Sequence, residues 1–351
     1  MSLEKLRRKI DQLDIRLINL LNQRAHIALA IAQAKKDQGE ARYSPDREKQ
    51  ILNHLLRINP GPLSSSAVES IYREIMSSSL AQYKPLVITY LGPEASFTHQ
   101  AALKRFGSQV TYSPSNSITD VFGDVEKGSA DYGVVPIENS IEGAITHTLD
   151  MFVDSDLKIC AQIILEISHS LLGNCPKSKI KRIYSNPQVF AQCRSWLEKN
   201  LANVEKVEVS STARAAQIVK RTRNSACIAS LLAAKIYKLK VITQGIEDSP
   251  HNITRFLVIS KHEINPTGSD RTSLLFSIKD RIGALHDMLI PFKKHRINLT
   301  KIESRPSKKK AWDYYFFIDL VGHYKDSKVK KALEELEDKC KFLKILGSYP
   351  V

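Results

Sequence analysis

Residues 3–39 read LEKLRRKIDQLDIRLINLLNQRAHIALAIAQAKKDQG, and their spacing is the clearest structural statement in the chain. Apolar or small residues fall at Leu3, Leu6, Ile10, Leu13, Leu17 and Leu20, then at Ile27, Ile31 and Ala34, mostly three or four apart. No Pro or Gly interrupts them before Gly39, so one helix of about 35 residues and roughly 50 Å is predicted. Two shorter helices follow. Ser44-Pro45 supplies a cap and first turn for Asp46–Arg57, and Ser66–Tyr83 is the third, with Asn59-Pro60-Gly61-Pro62 as the loop between them. A helix that long cannot bury its whole apolar stripe against two short ones. The remainder must meet a second copy, so the expected N-terminal fold is an all-α three-helix domain in an intertwined dimer.

The stripe carries an anomaly. Continued past Leu20, it places Arg24 in the next core slot, and Lys35 follows eleven residues later, close to three turns on and on the same face. Ala25, Ala28, Ala30, Ala32 and Ala34 leave space between them, and Arg7 flanks the same seam. Cations on a buried face require an anion. Either acids of the neighbouring helices supply it, or a small anionic ligand does.

At Pro85 the period changes. Short β-rich runs at 87–91, 132–136, 160–167, 182–184, 226–229 and 255–259 alternate with helical ones, which predicts an α/β domain with a mostly parallel sheet. Residues 262–270, with Pro266 and Gly268, read as a linker. The last 80 or so residues follow a βαββαβ order, the ferredoxin-like α+β pattern. The expected domains are therefore 1–84, 85–262 and 271–351.

With 351 residues, 42% hydrophobic and 25% charged, the composition is that of a folded multidomain protein. No apolar run is long enough for a membrane span, and the charged start lacks the apolar block of a signal peptide. The five cysteines (160, 175, 193, 227, 340) are odd in number and never C-x-x-C, so neither a metal cage nor a disulfide framework is expected, and a reducing cytoplasm is the simplest home. The net charge of +15 is spread over all three parts with no basic arm. Nucleic acid is thus not the expected partner; small anionic substrates account for the charge as well.

Asp46-Arg47-Glu48 completes a set with Arg7, Arg24 and Lys35 that resembles the substrate site of the all-helical chorismate mutases, over residues 3–83. The resemblance implies that arginines grip the two carboxylates of chorismate, that Lys35 neutralises charge on the breaking ether oxygen, that Glu48 holds the hydroxyl, and that Arg7 serves the partner's site. Ser79 matches a serine of the family site. One position departs. Aligned without a gap, Tyr83 stands where the family usually has Gln or Glu, and Gln82 is one residue early and about 100° away. The departure implies a mutase that is present but weakened, or, as an alternative, a dehydratase whose mutase domain has decayed.

The middle domain resembles prephenate dehydratase at five places in the family's order: YLGPEASF (90–97), DYGVVPIENS (131–140), SNPQ (185–188) with Gln192, STA (211–213) and NITRF (252–256). Any one of these alone is more simply a cap or turn. Together they imply a two-lobed α/β domain, like the periplasmic binding proteins, that removes carbon dioxide and water from prephenate. Thr254 is the implied key residue, as a hydrogen-bond donor. Asn139, Ser185 and Gln192 would orient the substrate, with Ser96, Ser211 and Thr212 lining its site. Glu138 is read as an acid or equally as a loop cap, and Arg255 as a substrate ligand or a structural anchor. Where many relatives have His, this chain has Asn186.

The C-terminal module resembles the ACT domain of the same bifunctional enzymes through Gly283-Ala284-Leu285-His286 and Glu303-Ser304-Arg305-Pro306, with Asn298 in the loop between. That implies phenylalanine as an allosteric inhibitor bound between paired modules. The expected whole is a cofactor-free, metal-free enzyme of phenylalanine biosynthesis, a homodimer whose dimers could pair into tetramers. A non-catalytic amino-acid sensor and a nucleic-acid-binding regulator are the rivals from other classes. Lys308-Lys309-Lys310 reads as a solvated hairpin, and His99, His147, His169 and His251, lacking metal-ligand spacing, as core or surface residues.

Overall fold

The structure is a computed structural model describing residues 2–41, 43–83, 85–278, 281–307 and 314–351, with only the backbone of Tyr83. The predicted Lys308–Lys310 hairpin lies outside the described residues. The chain divides into two compact units: residues 1–86 with 106–111, and 87–105 with 112–351.

The first unit holds three helices, α1 (Leu3–Asp37), α2 (Pro45–Ile58) and α3 (Ser65–Tyr83). Ser2 caps α1 by accepting from the Lys5 N–H. α1 runs unbroken for 35 residues and has no buried residue. Its stripe lies open: Ile10, Leu13, Leu17, Leu20, Ile27 and Ile31 are all more than half exposed. α3 packs on both α1 and α2, which leaves most of the stripe uncovered within the chain.

The second unit contains fifteen strands and nine α-helices among its described residues. One lobe carries β1 (Val87–Leu91), α4 (Phe97–Phe106), β2 (Thr111–Ser115), α5 (Ile118–Lys127), β3 (Tyr132–Asn139), β4 (Gly143–Ala144), α6 (Thr146–Asp154) and β5 (Lys158–Glu166). The second lobe follows: β6 (Ser170–Gly173), β7 (Arg182–Ser185), α7 (Pro187–Gln192), α8 (Arg194–Leu201), β8 (Glu205–Glu208), α9 (Thr212–Val219), β9 (Ser225–Ala229), α10 (Leu231–Tyr237) and β10 (Lys240–Thr243). β11 (Ile253–Ser260) then returns to the first lobe. The last elements are β12 (Asp270–Ser277), α11 (Ala284–Lys294), β13 (Leu299–Pro306), β14 (Tyr314–Val321), α12 (Ser327–Glu337) and β15 (Phe342–Pro350).

The sheet orders are β2-β1-β3-β11-β5 with β4 beside β3, β10-β6-β9-β7-β8, and β13-β14-β12-β15. The expected mostly parallel sheet is corrected to mixed sheets. β1 and β3 pair in parallel, but β11 lies antiparallel to both β3 and β5, because the chain re-enters the first lobe from the second. The second sheet pairs β7 in parallel with β8 and β9, and β6 antiparallel with β9 and β10. Its β9 is buried throughout, with Ala213, Ala216 and Ala233 in the core on one side and Ile183, Leu197 and Ile228 on the other.

The third sheet is antiparallel and packs α11 and α12 on one face around Leu274, Phe276, Phe292, Leu333 and Leu336. Its other face is fused to the first lobe. Phe122, Ile137, Phe152 and Leu257 share one core with Leu275, Phe317, Leu346 and Tyr349. The expected linker is likewise tied down: Ile264 is buried, its carbonyl accepts from His323 Nε2 at 3.0 Å, and Tyr324 donates to Glu263 at 2.5 Å.

β15 crosses the edge strand β5 at Gly347, whose φ is +153°. A Cβ there would stand 2.2 Å from the Ile159 carbonyl oxygen. Gly347→Ala is therefore expected to destabilise this unit by about 2–4 kcal/mol through overlap of two backbones, read as a lowered melting temperature of the full chain.

Candidate functional site

In the helical unit, Arg24 of α1 reaches α3, where its Nη1 donates to Ser79 Oγ at 2.9 Å. Lys35, near the end of α1, donates to Ser44 Oγ at 2.6 Å and to the Ala41 carbonyl at 3.1 Å. Ser44 stands at the N-cap of α2 as expected, yet its hydroxyl makes no capping bond and serves Lys35 instead. Glu48, in the first turn of α2, accepts from the Tyr43 hydroxyl at 2.8 Å. Among the described residues no carboxylate pairs with Arg24 or Lys35; their protein partners are neutral oxygens. Within the chain, then, neighbouring acids do not supply the expected anion among the described residues. Two cations held by neutral groups suit a dianion.

Two residues of the expected set stand apart from this group. Arg47 is exposed and bonds Gln50 Oε1 of its own helix at 3.3 Å, because one step along a helix turns it about 100° from Glu48. Arg7 precedes Arg24 by seventeen positions, about 25 Å of helix, and is exposed.

In the α/β unit the central group forms where β3 ends beside the start of β11. Asn139 and Thr254 face each other in register, and Thr254 is 8% exposed. The Asn139 side-chain carbonyl accepts from the backbone N–H groups of Ile141 at 2.9 Å and Glu142 at 3.1 Å. Backbone N–H can only donate, so the amide end of Asn139 must point the other way. It donates to Thr254 Oγ1 at 2.8 Å and to Asn252 Oδ1 at 2.7 Å. Thr254 is thus an acceptor from Asn139, and its own proton is left for another acceptor.

The same constraint runs on along the chain of amides. Asn252 Nδ2 donates to Gln192 Oε1 at 3.2 Å, His169 Nε2 lies 3.0 Å from that oxygen, and Gln192 Nε2 donates to Glu142 Oε1 at 3.2 Å. Since Gln192 Oε1 only accepts, His169 carries its proton on Nε2. Burial pushes the His169 imidazole below its ordinary pKa, against the raising effects of Gln192 and Glu247, which favours this neutral form. Asn252, Glu142 and His169 are members of the centre that sequence reading did not place there. Asn252 lay within a recognised motif, but His169 had only its residue type to mark it.

Several expected residues occupy simpler roles. Ser96 accepts from the His99 N–H at 3.2 Å and donates to the Leu91 carbonyl at 3.0 Å, and Ser211 caps α9. Thr212 is buried in the first turn of α9. Ser185 is fully buried and donates to the Ile228 carbonyl at 3.1 Å, so the structure does not join it to the Thr254 group. Asn186 caps α7. Glu138 faces away from Asn139, as neighbours in a strand must, and Lys301 of β13 holds its carboxylate, so the structure does not join it to the Thr254 group. Arg255 donates to Asp319 at 2.6 Å and to the Tyr349 hydroxyl at 2.7 Å, contacts of the structural-anchor kind.

In the third-sheet region Gly283 precedes α11 with φ +75°, a left-handed conformation suited to glycine, and nothing lies within 4 Å of where its Cβ would be. Ala284 is buried, whereas Leu285, Asn298 and Ser304 are exposed and Glu303 is half-buried. Arg305 turns to the first lobe and pairs with Asp150 at 3.3 Å, so within the chain it is already engaged.

Comparison with known proteins joins these regions. Family models described as Chorismate mutase type II, Prephenate dehydratase and ACT domain match residues 6–84, 88–264 and 272–338. The bifunctional chorismate mutase/prephenate dehydratase of Aquifex aeolicus is 49% identical over 99% of this chain and 98% of its own length. That of Pseudomonas aeruginosa is 47% identical, with 99% and 98% covered. A prephenate dehydratase from Arthrobacter aurescens, solved in complex with L-Phe, aligns with a TM-score of 0.71 at 34% identity, covering 76% of this chain and 90% of that one. The three matched regions, in this order and over nearly the full length of both relatives, place the chain in the bifunctional chorismate mutase/prephenate dehydratase family.

Proposed function

We propose that the helical site rearranges chorismate to prephenate, that the Thr254 centre converts prephenate to phenylpyruvate, and that phenylalanine acts on the ACT domain as inhibitor. For the first reaction the chain supplies electrostatics and shape. A carbon–carbon bond forms as the ether carbon–oxygen bond breaks, so no nucleophile or base is needed. Arg24 would bind a carboxylate, Lys35 would meet charge growing on the ether oxygen, and Glu48 would orient the hydroxyl. Arg7 would enter from a second copy.

In the second reaction the carboxylate leaves as carbon dioxide, its bonding electrons complete the aromatic ring, and the ring hydroxyl departs with a proton as water. The observation that carries the assignment is the direction of the Asn139–Thr254 bond. With Asn139 donating, the threonine proton can be offered to the departing oxygen, and Gln192 and Asn252 keep that polarity fixed. The domain boundaries that fit this division of labour fall near residues 84 and 262–271. For the ACT domain, open Gly283 and exposed Asn298 and Ser304 would take up phenylalanine between paired modules.

Five outcomes are expected. Thr254→Val should lower phenylpyruvate formation about 100-fold or more while Thr254→Ser keeps most of it. Asn139→Asp should lose as much as Thr254→Val, because a carboxylate would capture the threonine proton; ultraviolet absorbance of phenylpyruvate reports both. Lys35→Ala should cut chorismate turnover by about 100-fold or more, with turnover of supplied prephenate untouched. If Tyr83 weakens the mutase, the same pair of assays on the unaltered chain gives chorismate turnover well below prephenate turnover. Finally, Leu13→Glu with Leu17→Glu should abolish chorismate turnover and shift the sedimentation coefficient downward, while prephenate turnover persists.

A further inference from the structure

The geometry points to Lys301 and Asp319 as positioning residues through which the state of the ACT domain reaches Asn139 and Thr254, by way of the reverse face of the β3–β11 pair. The inference rests on the reading that phenylalanine binds this domain and inhibits the dehydratase. In the antiparallel register Thr254 opposes Asn139 and Arg255 opposes Glu138. Alternation turns the first pair toward Asn252 and Gln192 and the second toward the ACT sheet.

Three strands of that sheet meet the second pair, and the fourth braces their side chains. Asp319 of β14 accepts from Arg255 Nη1 at 2.6 Å, Tyr349 of β15 accepts from Arg255 Nη2 at 2.7 Å, and Lys301 of β13 holds Glu138. Ser273 of β12 donates to Asp319 at 2.5 Å and lies 2.7 Å from the Tyr349 hydroxyl. The Arg255 and Asp319 side chains are 7% and 9% exposed. Buried ion pairs are a poor source of net stability, and a shared apolar core already joins the two sheets. What such a cluster does supply is fixed geometry, here immediately behind the residues that hold the leaving group.

Lys301 also has a particular address. It lies on edge strand β13, two residues before Glu303 and on the same face, so the strand carrying the phenylalanine motif touches the residue preceding Asn139. An edge strand has one neighbour and can shift with the least disruption of hydrogen bonds. Phenylalanine would favour one placement of β13, and Lys301 would pass that placement to Glu138 and β3.

The test uses the full chain with Lys301→Gln and, as a milder change to the same cluster, Tyr349→Phe. Phenylalanine binding is followed by calorimetry, inhibition by phenylpyruvate formation, and folding by melting temperature. Coupling between sites commonly amounts to 5- to 150-fold. The expected result is that Lys301→Gln still binds phenylalanine and melts normally, yet its inhibition at saturating phenylalanine falls at least fivefold, with Tyr349→Phe falling in the same direction. Wild-type inhibition in both variants would overturn the proposal. So would loss of inhibition in Asp150→Asn but not in Lys301→Gln, which would route the signal through Arg305 and α6. Phenylalanine that neither binds nor inhibits the unaltered chain would overturn the regulatory reading itself.

Discussion

Successive residues of a strand face opposite ways, and at Thr254 and Arg255 that constraint divides the labour of the α/β unit. The hydroxyl of one belongs to a polar chain through Asn139, Asn252, Gln192 and His169; the guanidinium of the other is locked by Asp319 and Tyr349 of the ACT sheet. One peptide bond separates the proposed chemistry from the interdomain anchor. Nothing in this arrangement requires a special loop. It follows from inserting β11 between β3 and β5, with the ACT sheet on one side and the Asn252–Gln192 polar chain on the other.

Direction matters as much as distance in the polar chain. A side-chain amide can be turned either way, but the two backbone N–H groups that hold Asn139 Oδ1 leave it no choice. From there each donor and acceptor is set in turn as far as His169. In the proposed reaction a weakly acidic hydroxyl thereby becomes a donor by arrangement. The helical site works differently. Arg24 and Lys35 are held by hydroxyls and a carbonyl rather than by carboxylates, which suits the dianion and the ether oxygen of the proposed substrate.

The same logic explains why expected residues split into two groups. Ser96, Ser211 and Asn186 sit at helix N-termini and bond backbone N–H groups there, a role that their residue types favour wherever a helix starts. Glu138 and Arg255 were ambiguous because a motif in one-letter code does not display its two faces. Only side-chain contact with β13, β14 and β15 decides which side of the strand meets another domain.

Periodicity and breakers in the sequence were enough to determine the long helix, its two companions, and the βαββαβ order of the C-terminal sheet, since these patterns are local. The uncovered stripe of α1 and the oddly placed Arg24 and Lys35 were legible for the same reason. Mixed strand direction, the core shared between the first lobe and the ACT sheet, and the capture of Glu138 by Lys301 were decided by tertiary structure alone. Each joins residues far apart in sequence, and local spacing holds no information about which distant surface a strand will meet.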